Sequence, residues 1–477
     1  MNKSQQNKIK WYMLSFMCFS TLWGFGNVLN GFVYFNGTQV IFSWILMFAL
    51  YFVPYALMVG ELGSAFKNSG GGVSSWIHET TGAKAAYYAG WTYWACHVTY
   101  IASKGSGGLK ALSWMIFQNA EKYASFNTKA VQLVTFAVLL FFCWVASRGL
   151  NPLKKLATIA GSSMFVMSIL FILMMFAAPV INPNGGFVSA DYTVKGLIPQ
   201  FNVNYFTSLS ILVFAVGGCE KISPYVNKVK DPSKGFPKSM IFAAIMVIVC
   251  AIFGTIAMGM MFDVSLVEAN FDSYNANGQY WAFQKLGEYY HIGDTFLIIY
   301  ALCNLIGQFS ILILSIDAPL RMLLDNEKTA QYIPSGLRKK NKYGAYSNGI
   351  KLILVLAGAI IVVQTFLPGA AAVLQQLTRL NSVCMPLRYI WVFVAYIALR
   401  KAYDRIPAEY RFVKNQKIAY FFGGWCFFVT LICCIMGMYN KDPFTFAMNV
   451  ITPVVLTALG IIMPKLAERE RAKESGK

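Results

Sequence analysis

Charge is what this sequence lacks most. Asp, Glu, Lys and Arg together make up 13% of its 477 residues, where a soluble chain carries about 25%. So little charge cannot cover a water-facing surface of this size, which excludes an ordinary soluble protein. Histidine is nearly absent. His78, His97 and His291 are the only three and are far apart, which argues against a metal site. None of the ten cysteines falls in a C-x-x-C pair, and all lie in apolar stretches. They read as small, buried, reduced residues rather than a zinc site or a disulfide frame. No Walker sequence occurs, and Gly24-Phe25-Gly26 lacks the strand–helix setting of a nucleotide motif. Nothing calls for a cofactor.

Hydrophobic residues make up 57% of the chain and aromatics 16%. The net charge of +20 would suit a nucleic-acid partner. However, the basic residues sit in short clusters between long apolar runs, not on one soluble face, so no nucleic acid is expected. Lys3, Lys8 and Lys10 precede an apolar stretch as in a signal peptide, but no small-residue cleavage site follows. That stretch therefore reads as a first span kept in the mature protein.

A helix needs about 20 mostly apolar residues to cross the hydrocarbon core. Runs of that kind predict an all-α, polytopic membrane protein of about twelve spans, near 11–34, 38–62, 85–118, 128–147, 156–179, 205–225, 236–262, 290–324, 348–367, 371–399, 415–438 and 443–463. Placing both termini in the cytoplasm puts most Lys and Arg inside, as the positive-inside rule requires. The longest connection, around 263–290, falls outside and is too short for an enzymatic domain. It carries Asp263, Glu268, Asp272 and Glu288.

Two spans hold helix-breaking sequence. Span 1 has Gly24-Phe25-Gly26-Asn27, and span 6 has Gly217-Gly218-Cys219-Glu220 with Pro224 beyond. Each interior glycine costs a helix about 1 kcal/mol. Unwound backbone at membrane depth persists only inside protein or along a cavity. The breaks lie five spans apart, the pattern of a transporter site built on inverted repeats. Half-helix N-termini suit a carboxylate, and freed carbonyls suit an ammonium. An α-amino acid offers both. The alternative is that these glycines only allow helices to pack closely.

At this point the chain resembles the amino acid–polyamine–organocation transporter superfamily over nearly its whole length. Pro54-Tyr55-Ala56-Leu57-Met58-Val59-Gly60-Glu61-Leu62-Gly63, then Ser69-Gly70-Gly71-Gly72 and Trp76, is similar to its segment after span 2. Phe214-Ala215-Val216-Gly217-Gly218-Cys219-Glu220 is similar to its broken span 6, and Val229-Lys230-Asp231-Pro232 to the loop that follows. Ala318-Pro319-Leu320-Arg321-Met322-Leu323 with Asn341-Lys342-Tyr343-Gly344 resembles the bacterial glutamate/γ-aminobutyrate antiporter subgroup. The resemblance implies a five-plus-five inverted repeat over 1–199 and 200–402, two further spans within 403–463, and a cytoplasmic tail over 464–477. It implies a secondary transporter of amino acids in the cytoplasmic membrane, working by alternating access, with exchange favoured. Gly24, Gly26 and Asn27 would then meet the carboxylate, with Phe25 also in the substrate site. Phe214, Gly217 and Gly218 would meet the amino group and close it. The chain departs from the pattern at Asn27, where many relatives have Ile, and at Ala345-Tyr346-Ser347, which replaces a Pro-containing tripeptide.

Ionisable side chains inside spans are functional candidates because they are costly there. His97 and Lys104 lie seven residues apart on one face of span 3. Lys104 reads as a fixed cation beside the cavity or as structural glue, and Lys110 reads as snorkelling outward. Arg388 in span 10 is deep enough to need a partner. Glu220 reads as a proton carrier or as an acid complementing the start of its half-helix. Asp317 and Arg321 suit a local i,i+4 pair. Competing functions are a proton-coupled symporter, a channel and a non-transporting sensor. A membrane-embedded enzyme would need clustered His, Asp and Glu, and none is seen.

Overall fold

The computed structural model describes residues 8–366 and 369–475, with the side chains of 150–154, 370–375 and 475 set aside. Lys3 and the last two residues of the expected tail lie outside the described residues. Among the described residues the structure is helical, with one isolated backbone bridge between Ile9 and Val229.

Ten helical segments are long and apolar enough to cross a membrane. They correspond to spans 2 and 4–12 as expected from the sequence. The other two expected spans escape that criterion for physical reasons. Span 1 is split into Trp11–Leu22 and Phe25–Tyr34, each too short alone. Span 3 is a single helix, Ala83–Phe117, that carries lysines, glycines and a histidine along its length. Large apolar side chains stand exposed along outer faces, among them Leu133 and Phe141 of span 4 (Thr128–Ala146), Leu173 of span 5 (Leu150–Ile181) and Phe428 of span 11 (Gln416–Met438). An exposed apolar belt of this kind has no place in water and is what lipid requires.

Span 6 ends its α-helix at Val216 and resumes as a 3-10 helix, Cys219–Lys228, rather than the α-helical half expected. Span 10 also differs from expectation. It is read from sequence as unbroken over 371–399, but its helix stops at Leu387 and restarts at Ile390. Pro386 lies just before the stop, and the Tyr389 amide turns back to the Pro386 carbonyl at 2.9 Å. Span 2 (Gly37–Ala65) contains a π-helical turn at Phe48–Phe52 just before Pro54, which turns Tyr51 and Tyr55 inward.

Gly105-Ser106-Gly107-Gly108 is a close-packing stretch of span 3. A Cβ at Gly105 would meet Thr135 of span 4 at 2.8 Å, and one at Gly108 would meet Phe309 of span 8 (Thr295–Leu324) at 2.5 Å. Asp317 and Arg321 form the expected i,i+4 ion pair at 2.7 Å. The connection after span 7 (Pro232–Gly259) is not a loop but two helices, Val264–Ala269 and Phe271–Tyr289. Asp263 caps the first, and bonds from Ser265 hold its carboxyl below the usual carboxylate range.

A second buried charge pair closes the end of the bundle that carries the termini. Glu61 of span 2 accepts from Arg400 Nη2 at 2.7 Å and from the Phe412 amide at 2.8 Å. Arg400 also donates to the Val413 carbonyl at 2.7 Å. The pair thus pins the 402–415 connection onto span 2. Breaking a buried pair strands its other charge, at about 3–5 kcal/mol. Arg400→Met is therefore expected to lower the thermal unfolding midpoint in detergent. An unchanged midpoint would show that the pair is not structural.

Candidate functional site

The two breaks face each other. At the span 1 break, Trp23 and Gly24 are extended, with Gly24 at φ −137° and ψ 157°. At the span 6 break, Gly217 is extended and Gly218 takes φ +120°, which favours glycine. The side-chain amide of Asn27 donates to the Leu22 carbonyl at 3.3 Å and to the Ala215 carbonyl at 3.4 Å, bridging both interruptions. Thr21 Oγ1 approaches the Gly218 carbonyl at 3.5 Å. At Phe25 the second half of span 1 begins, and the first amides of a helix have no partner within it. These amides border a cavity of about 440 Å³, a size suited to a small organic solute.

Gly24, Phe25, Gly26, Asn27, Phe214 and Gly217 all line that cavity, as do Lys104 and Arg388. A Cβ on Gly24 would meet nothing within 4 Å, so this position opens directly into the space. Gly218, Glu220 and His97 do not line it. Gly218 instead lies against Arg388, whose Nη2 is 3.2 Å from where its Cβ would be. Glu220 and His97 lie behind the wall, in a polar cluster around Arg388. Arg388 Nε stands 3.2 Å from Glu220 Oε1, an ion pair rather than an aligned hydrogen bond. Tyr93 donates to Glu220 Oε1 at 2.6 Å, and Tyr55 donates to Oε2. His97 Nδ1 lies 2.8 Å from the Tyr93 carbonyl, which assigns the proton to Nδ1 and leaves Nε2 to accept from Arg388. Arg388 thus has the partner that its depth demands.

Below the cavity the Tyr389 ring presses on Gly217, where a Cβ would fall 2.0 Å from Cε2. Together with the Glu220 cluster, this ring fills the half of the bundle toward the termini. The cavity instead extends toward the opposite end, where the helix Phe271–Tyr289 covers it. Asp272, Asn275, Ala276, Gln279 and Tyr280 line the cavity, spaced so that they share one face of that helix. Lys110 does not snorkel. It is buried and donates to the Ala276 carbonyl, tying span 3 to the cover. Trp114 stacks on Tyr280 with ring centres 5.0 Å apart.

Basic side chains, Lys104, Lys110, Lys221 and Arg388, line the cavity wall. Lys104 lies over the Tyr100 ring at 4.4 Å. Lys221, buried, donates to Ser315 at 2.6 Å and stands 5.3 Å from the same ring. Neither has a carboxylate within ion-pair distance among the described residues. The sequence reading passed over Lys221, although a lysine in an apolar span beside the Gly217-Gly218 break was a legible signal. It also missed Tyr389, which follows the Pro386 stop, and the lining face of the 271–289 helix. Among the described residues no three His, Cys, Asp or Glu side chains converge as metal ligands.

A bundle of membrane-crossing helices, broken at spans 1 and 6 around a polar cavity, defines a membrane transporter. The chain belongs to the amino acid permease family, whose model matches residues 9–460. It is 44% identical over 477 residues to the aspartate/glutamate permease AcaP of Lactococcus lactis subsp. cremoris, covering 98% of this chain and 96% of that one. It is 24% identical to the inner membrane transporter YjeM of Escherichia coli K12, over 80% of each chain. A protein of Lactococcus lactis subsp. lactis named "probable agmatine/putrescine antiporter AguD" is 22% identical, with 79% of this chain and 76% of that one covered. The chain is an amino acid transporter and not an enzyme.

Overpacking a tight site costs about 1–3 kcal/mol. Gly217→Ala, which drives a methyl into the Tyr389 ring, is expected to cut the transport rate about tenfold or more at normal membrane expression. Gly24→Ala projects into open cavity and is expected to raise KM while leaving thermal stability unchanged. Equal, unaffected uptake by both variants would show that neither glycine borders the transport path.

Proposed function

We propose that this permease exchanges acidic amino acids, aspartate or glutamate, across the cytoplasmic membrane. The observation that carries this reading is the pair Lys104 and Lys221, two lysines lining one cavity with no carboxylate within ion-pair distance of either among the described residues. An anionic side chain on the substrate would supply that charge. Its α-carboxylate would meet the free amides at Phe25 and Gly26, and its ammonium the carbonyls exposed near Phe214. The name of the 44%-identical relative, an aspartate/glutamate permease, agrees with this chemistry.

Exchange follows from the same charges. An empty site must carry two uncompensated cations through a closed state, and buried unpaired charge is costly. A bound acidic substrate removes that cost on each passage, so the loaded carrier reorients faster than the empty one. Glu220 serves in this reading as the fixed partner of Arg388 rather than as the coupling proton's carrier, since Tyr55, Tyr93 and Arg388 occupy its two oxygens. The repeats over 1–199 and 200–402 would supply one break each and rock about the cavity. Spans 11 and 12 within 403–463 and the tail from 464 lie outside this core. Both termini belong in the cytoplasm on the positive-inside rule. The cavity would then face outward.

Counterflow into proteoliposomes with a panel of amino acids checks the proposal. Saturable exchange of aspartate or glutamate is expected, with neutral and cationic amino acids at least about tenfold poorer, in keeping with ~1.5–3 kcal/mol for a charge-assisted bond. Lys104→Met should remove most of that preference. Unchanged aspartate uptake by this variant would overturn the acidic-substrate reading, and linear, unsaturable flux would point to a channel. Glu220→Gln is expected to impair exchange at every pH. A selective loss of pH-dependent exchange would instead make Glu220 the proton carrier.

A further inference from the structure

Away from the cavity, at the end of the bundle that carries the termini, a groove of about 390 Å³ runs between the foot of span 1 and the foot of span 7. Lys10, Lys230, Lys234 and Lys238 line it, with Asp231 as the one acid. All four lysines are exposed, and none has a carboxylate within ion-pair distance among the described residues. Lys238 Nζ sits 4.2 Å over the Trp11 ring, and Lys10 Nζ 5.7 Å over Tyr12. Lysine stems laid on aromatic rings are held in place rather than free to sweep through water.

We propose that this groove binds a phosphate-bearing anion, presented as the headgroup of an anionic phospholipid of the leaflet facing the termini. The chemistry is four cations against one acid. The lipid source follows from the groove's position. Lys234, Lys238, Ile241 and Ile245 recur at helical spacing along one face of span 7, and both isoleucines are exposed. A headgroup held by the lysines would therefore have its acyl chains directly over apolar surface. Interfacial tryptophan and tyrosine mark the same level of the membrane, and basic pockets between spans on this side are suited to acidic headgroups.

The groove also stands on moving parts. Ile9 donates to the Lys228 carbonyl at 2.8 Å, and the Lys230 amide donates to the Ile9 carbonyl at 2.9 Å. This short bridge joins the chain entering broken span 1 to the chain leaving broken span 6. A headgroup that bridges Lys10 with Lys230, Lys234 and Lys238 clamps both broken spans and span 7 at one point. Transport should therefore depend on anionic lipid. This dependence rests on the transporter reading, whereas lipid retention does not, so the two can fail separately.

The test compares the full-length protein with Lys230→Gln/Lys234→Gln/Lys238→Gln, and with a charge-matched control, Lys339→Gln/Lys342→Gln/Lys465→Gln. Retention of phosphatidylglycerol is read by native mass spectrometry from mixed micelles. Exchange is read in vesicles of phosphatidylcholine with and without phosphatidylglycerol. Each groove lysine removed is expected to lower phosphatidylglycerol retention about five-fold. The groove variant should also lose the stimulation by phosphatidylglycerol that the parent and the control keep. Millimolar inorganic phosphate in phosphatidylcholine vesicles should not replace the lipid. Equal retention by all three proteins would overturn the site. Stimulation of the parent by inorganic phosphate alone, lost in the groove variant, would overturn the lipid source.

Discussion

A peptide group with no partner is expensive in hydrocarbon, and this fold leaves several of them near mid-membrane. Everything else in the structure answers that constraint. The breaks after Leu22 and Val216 are brought together so that each helps to satisfy the other. Asn27 spans both with one side-chain amide, and Thr21 reaches the Gly218 carbonyl. What protein atoms leave unpaired on the cavity side is left for a solute. Binding and fold are thus the same problem, since the groups that would grip a substrate are those the helices gave up.

The charges obey a similar logic at three depths. Near the termini, Glu61 and Arg400 lock a connection against span 2. In the middle, Arg388 borders the cavity and is held from behind by Glu220 and His97, with Tyr55 and Tyr93 donating to Glu220. In the cavity itself, Lys104 and Lys221 lack such compensation and share only the face of Tyr100 and the hydroxyl of Ser315. The contrast matters because a membrane protein that neutralises two of its buried charge sites so thoroughly has the means to neutralise the third. On the proposed reading, this pair is where an anionic substrate would sit.

Much of this was legible in the sequence because the bilayer simplifies the reading. Long apolar runs fixed the spans, and Gly24-Phe25-Gly26 and Gly217-Gly218 marked both breaks. Most of the named glycines and aromatics around them do line the cavity. Other features depended on contacts between distant residues. Gly218 lies against Arg388 rather than on the cavity, and Glu220 is taken by the same Arg388, 168 positions away. The 271–289 segment is too polar to read as a span, so its role as the cavity cover shows only once Lys110 and Trp114 are seen against it. The stop in span 10 had a local signal in Pro386, but its consequence, Tyr389 packed on Gly217, did not.

The central claim is that a small acidic zwitterion sits between the two breaks. A cryo-electron microscopy structure with aspartate bound tests it directly. The account predicts ligand density against the Phe25 and Gly26 amides, with the side-chain carboxylate toward Lys104 and Lys221. Density elsewhere, or a cavity empty at saturating aspartate with spans 1 and 6 unchanged, would contradict it.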